Sequence, residues 1–267
     1  MSPTLSHKQQ RMLLKFFVPS IKNHPDWPVI ISEGDSWFSF PIHANTIDHL
    51  DEMADQKISL LRLEKNGDEL LEIFGSKQRT KLRRYLTRYP VEALLFSGGG
   101  NDIVGSDLEP LLKTKQAGMT WEDCIDKPRA LRRIEQLKFA YLDLIDIRDD
   151  CRPTCIIYVH GYDYAIPNGK PARVLGIKVG PWMKPHFDAK GITDLKDARR
   201  IVRWLINRFN EMLADLAQDH PKFVHVKTRN TLNENEWNDE LHPSRDGFEQ
   251  VAEKFRSKLK KQFPGTF

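Results

Sequence analysis

Cysteine is scarce in this chain: Cys124, Cys151 and Cys155 make an odd number with no Cys-x-x-Cys pair. That composition excludes a disulfide framework and a cysteine-built metal site, and it predicts reduced thiols in a cytoplasmic protein. Long apolar runs are missing too. The N-terminal segment around Met12, Leu13, Phe16 and Phe17 mixes charges into a short apolar stretch, so it reads as neither a secretory signal nor a transmembrane span. Its apolar positions recur at helical spacing, which predicts a helix within residues 1–25 packed on the core, with peripheral membrane contact as the sharper alternative. Internal repeats, low-complexity tracts and runs of like charge are absent, and the net charge of +4 is dispersed among acids. A solvated surface explains that dispersion better than a nucleic-acid partner does.

What is present is an ordinary globular composition, 40% hydrophobic and 29% charged over 267 residues. It predicts one domain, with its core over about 29–260. Short apolar runs at 29–31, 58–63, 93–96, 155–159 and 223–226 have strand length. Between and after them, period and caps predict helices at 46–53, 68–74, 77–88, 128–148, 194–218 and 244–260. This alternation predicts βαβ units, hence a parallel sheet in a three-layer α/β/α sandwich. Two segments break the pattern, 102–127 and 161–194; both follow strands and are long enough to wall an active site.

Four short motifs fall at predicted strand ends or just before a helix. Gly34-Asp35-Ser36 follows the first strand, where glycine permits a sharp turn and Ser36 can expose its hydroxyl. Asn66-Gly67 follows the second, and an amide at Gly67 could approach a substrate closely. Gly98-Gly99-Gly100-Asn101-Asp102 closes the third; Ile103 stands where a dinucleotide loop needs its last glycine, and no phosphate-loop lysine follows. Asp239-Glu240-Leu241-His242 precedes the last helix and spaces a carboxylate to orient an imidazole, with Pro243 expected to start that helix. Each motif alone is an ordinary turn or cap. Their ordered conjunction has a chance on the order of one in a thousand from average composition.

The set resembles the SGNH or GDSL hydrolases, over residues 29–260. That resemblance implies a flavodoxin-like five-stranded sheet of order 2-1-3-4-5 and ester hydrolysis without metal or organic cofactor. It implies Ser36 as nucleophile, His242 as base and acid, and Asp239 as its orienting partner. The oxyanion hole would be the Ser36 amide, the Gly67 amide and the Asn101 side chain. The chain departs from the family pattern at Trp37, which replaces the usual leucine and is followed by Phe38, Phe40 and Pro41. Trp37, His160, Tyr162 and Tyr164 are therefore candidates for substrate contact, although a hydrogen-bonded structural role is the commoner one for such a histidine. A lipid or small-alcohol acyl ester is the first substrate class, with a carbohydrate acetate or a phospholipid next. Two competing functions are a metal-dependent phosphoesterase using Asp35, Asn101, Asp102, His160 and His242, and a silent binding module on the same fold.

Overall fold

The computed structural model describes residues 14–65, 67, 69–71, 77–174 and 176–267. Met12, Leu13, Asn66 and most of the expected helix 68–74 lie outside the described residues.

Strands that are apolar on both faces need cover on both faces, and the sheet is built that way. Its members are β1 (Val29–Gly34), β2 (Ser59–Arg62), β3 (Ala93–Ser97) and β4 (Ile156–His160); a separate antiparallel hairpin of β5 (Ala172–Val174) and β6 (Ile177–Val179) follows, and β7 (Phe223–Val226) completes the sheet. All sheet pairings are parallel, in the order β2-β1-β3-β4-β7, which is the expected 2-1-3-4-5 when only sheet strands are counted. β1 and β3 are buried along their whole length.

The helices are α1 (Leu14–Asn23), α2 (Ser36–Ser39), α3 (Thr46–Met53), α4 (Lys77–Arg88), α5 (Gly100–Val104), α6 (Lys127–Cys151), α7 (Lys184–Ala189), α8 (Leu195–Asp219) and α9 (Arg245–Gln262). Helices α4, α6 and α8 pack side by side, and α3 packs with α9, so the chain is a three-layer α/β/α sandwich. Tyr141 of α6 marks one interface, touching Phe96, Phe209 and Phe223. Phe255 of α9 marks the other, against Phe38 and His160.

The caps explain where helices begin. Asn45 and Asp48 form a reciprocal capping box on α3, and the Asp126, Asp194 and Ser244 side chains accept first-turn amides of α6, α8 and α9. The last helix therefore starts after Ser244. Pro243 lies outside it, bridged to Trp237 across the preceding turn. In α1, Phe17 is fully buried and meets Tyr89 edge-on, so this part of the N-terminal segment is docked on the core. The core also continues past 260, through buried Phe263 and Phe267.

Candidate active site

β1 ends at Gly34 with φ +137°, and a Cβ there would lie 1.9 Å from the Ser97 carbonyl oxygen of β3. Only glycine allows the two strand ends to close to that distance. The chain then turns at Asp35, whose carboxylate caps α2 by accepting from the Trp37 amide at 3.0 Å. Ser36 follows as the first residue of α2 and is nearly buried.

His242 arrives from the other end of the chain on a turn pinched by the Trp237–Pro243 bridge. Its Nε2 is 2.7 Å from Ser36 Oγ, and its Nδ1 is 2.9 and 3.0 Å from the two Asp239 oxygens. With Nδ1 protonated toward the carboxylate, Nε2 is left to accept from the serine hydroxyl. Asp239 is itself held by the Leu241 and His242 amides and by the Asn238 side chain. Burial alone would push its carboxyl up, but the His242 contact and these hydrogen bonds hold it below the ordinary value of 3.8. Two rings also pack on the imidazole: Phe40 stacks on it at 4.5 Å between centroids, and Trp182 meets it edge-on at 5.2 Å.

Ser36, Gly67, Asn101 and His242 all line one cleft of about 170 Å³, with Phe40, Pro41, Ala172, Val174, Val179, Trp182 and Leu241 as its walls. A second, narrower slot of about 20 Å³ opens beside Ser36 and Asn101. Trp37, Gly100, Val104, Tyr162, Ala165, Ile206 and Leu241 close it down. The segment 161–194 thus supplies walls to both spaces. From 102–127 only Val104 reaches either of them.

The four proposed contact residues do not share one role. His160 is fully buried and lines neither space, which corrects its candidacy for substrate contact. Its Nδ1 accepts from the Tyr162 amide, so its Nε2 donates to Ser97 Oγ at 2.8 Å. Ser97 in turn donates to Asp35 Oδ1 at 2.6 Å, and the Tyr162 hydroxyl donates to Asp35 Oδ2. Burial, with His225 nearby, pushes His160 down to about 3, and burial raises Asp35 above its ordinary value. The network supports the residue before the serine. Trp37 and Tyr162 are buried and line the slot; the Trp37 indole donates to the Leu241 carbonyl at 3.1 Å, tying α2 to the His242 turn. Tyr164 belongs elsewhere: its hydroxyl donates to Asn207, its ring lies under Arg203 at 4.0 Å, and it lines a separate pocket with Arg199 and Trp237.

Four of the residues offered for a metal site, Asp35, Asp102, His160 and His242, have other partners. Asp35 and His160 belong to the buried network. Asp102 accepts the Leu70 and Leu71 amides, and burial pushes its carboxyl up to about 6. Among the described residues no cluster of three or more His, Cys, Asp or Glu side chains has the geometry to hold a metal ion.

Two carboxylates escaped the sequence reading. Glu240, fully buried, accepts the amides of Gly169, Trp182, Met183 and Lys184. Asp163 accepts those of Tyr164, Asn230, Thr231 and Leu232. Glu240 joins the His242 turn to the loop that carries Trp182, so one side chain positions two walls of the cleft. Its donors lie 56 to 71 positions away, and no local pattern announces such a link.

No protein-family model matches the chain, and no curated protein does. Solved structures do. A lipase from a goat-rumen metagenome superimposes with a TM-score of 0.54 at 15% identity, covering 86% of this chain and 96% of the other. A family 3 carbohydrate esterase from Clostridium thermocellum gives 0.53 at 13% identity, covering 90% and 100%. A member of the lipolytic G-D-S-L family from Veillonella parvula gives 0.50 at 12%, covering 87% and 98%. At such identities the likeness is one of fold, shared along nearly the whole length of each neighbour. Sheet order and these neighbours together give the chain the SGNH/GDSL hydrolase fold.

Proposed function

We propose that this protein is a serine esterase that cleaves a carboxylic ester through an acyl-enzyme. The observation that carries the reading is the unbroken line from Ser36 Oγ through the His242 imidazole to Asp239. Ser36 Oγ attacks the carbonyl carbon while His242 Nε2 takes its proton, and Asp239 stabilises the imidazolium that forms. The carbonyl oxygen becomes an oxyanion held by the Ser36 amide, the Gly67 amide and the Asn101 side chain; in support, these three residues line the same cleft. Collapse expels the alcohol with the proton from His242. Water activated by the same imidazole then attacks the acyl carbon and frees Ser36.

The two spaces beside Ser36 divide the substrate. The narrow slot suits a short acyl group, whereas the wider cleft, with its apolar walls, suits the bulkier alcohol part of a lipid or small-alcohol ester. Trp37, where the usual family leucine is missing, is one of the residues that narrow the slot. A series of p-nitrophenyl esters of increasing acyl length tests both points. Turnover is expected to be highest for acetyl or propionyl and to fall by roughly a thousandfold or more in Ser36→Ala. Wild-type turnover in that variant would overturn the serine assignment.

A further inference from the structure

We propose that the β5–β6 hairpin docks the protein on an anionic phospholipid surface, with the mouth of the Ser36 cleft facing the lipid. From Tyr164 through Phe187 the chain carries Lys170, Arg173, Lys178 and Lys184 and not one acidic residue. Two of these cations are engaged. Lys170 donates to the Trp237 carbonyl, and Lys184 pairs with Asp188. Arg173 and Lys178 are exposed, and neither has an ion pair among the described residues.

The register makes this pair unusual, because Arg173 and Lys178 stand directly opposite each other across the hairpin. Like charges in that position destabilise a two-stranded ribbon, and an anionic counter-surface removes the penalty. The alternate residues form the opposite face: Ala172 pairs with Val179, and Val174 with Ile177. Ala172, Val174 and Val179 wall the cleft, while Ile177 is 70% exposed and Val179 is 41% exposed. The hairpin is thus apolar on the face that continues into the cleft and cationic on the other. Apolar surface near a bilayer enters the interface, and lysine and arginine beside it meet lipid phosphates. An ester delivered from such a surface would follow the apolar face toward Ser36. Only this last step rests on the esterase reading; the docking does not.

The test is co-sedimentation of the whole protein with phosphatidylcholine vesicles and with vesicles containing phosphatidylglycerol. Binding is expected only to the anionic vesicles and should be released by salt. The double variant R173Q/K178Q should bind about thirtyfold more weakly, from the usual contribution of two cations at an anionic surface. Because neither side chain lines the cleft, the same variant should hydrolyse a soluble p-nitrophenyl ester at the wild-type rate. Absence of binding to anionic vesicles, equal binding to both kinds, or undiminished binding by the variant would each overturn the proposal. So would a dimer in sedimentation velocity that the variant abolishes without any vesicle binding, since the face would then belong to a second copy. If no ester is turned over while vesicle binding and its loss are as stated, the enzymatic reading fails and the docking stands.

Discussion

At the scale of single residues, position relative to Ser36 matters more than residue type. Asp35 and Asp239 are both buried aspartates close to the reactive serine, yet their neighbours move them in opposite directions. Burial dominates Asp35 and raises it, whereas the His242 contact and several hydrogen bonds overcome burial at Asp239 and lower it. The narrow slot is also a matter of a few side chains. Val104 and Ile206 line it without taking part in the polar network. Replacing Val104 by Ala removes two methyl groups from the wall, so the preferred acyl chain should lengthen by one or two carbons, with about a tenfold gain for butyryl relative to acetyl. A p-nitrophenyl ester series reads this directly; an unchanged acyl preference would place the acyl group outside the slot.

At the scale of elements, period and propensity do not reveal the short pieces, some of which a single carboxylate holds. The five sheet strands and the long helices were legible in the sequence because they are buried runs or capped amphipathic segments of ordinary length. Helices α2, α5 and α7 have four to six residues, and β5 and β6 have three each, too short for a period to emerge. Single carboxylates hold two of them: Asp35 caps α2, and the distant Glu240 holds the start of α7. The same division applies to the site. Ser36, Asp239 and His242 were legible as motifs at strand and helix ends, while the His160–Ser97–Asp35–Tyr162 network joins three segments and leaves no local mark. Changing Glu240 to Gln leaves one accepting oxygen for four amides and points an NH₂ at two of them. The expected loss is about 2–4 kcal/mol, from two buried amides left unpaired. Urea unfolding measures it, and an unchanged midpoint would show that Glu240 does not hold the loop.

At the scale of the whole molecule, buried titratable groups set how stability responds to acid. His160 is pushed down to about 3 and His225 to about 4 from an ordinary 6.5, in each case first by burial. Their folded values lie below their unfolded ones, so the unfolded chain binds more protons as the pH falls below 6.5, and stability is lost. Asp102 acts in the opposite sense: burial raises it to about 6 from 3.8, so the folded state takes up its proton first and gains stability as the pH falls through 6. Asp35, which burial also raises, acts in the same sense as Asp102, so the profile of the whole molecule sums opposing contributions. The histidine part is read by difference. Relative to a His225→Gln variant, wild-type stability from urea unfolding should fall by about 1.4 kcal/mol per pH unit between pH 6.5 and 4; a constant difference would contradict neutral burial of His225.

The central claim is that Ser36 is the nucleophile of an acyl-transfer site assembled from both ends of the chain. Its most direct test is reaction of the folded wild-type protein with a fluorophosphonate, followed by peptide mass spectrometry. One adduct per chain, located on Ser36 and absent from a folded Ser36→Ala variant, is the result this account predicts. An adduct on another residue, or no adduct at all on the folded protein, would contradict it.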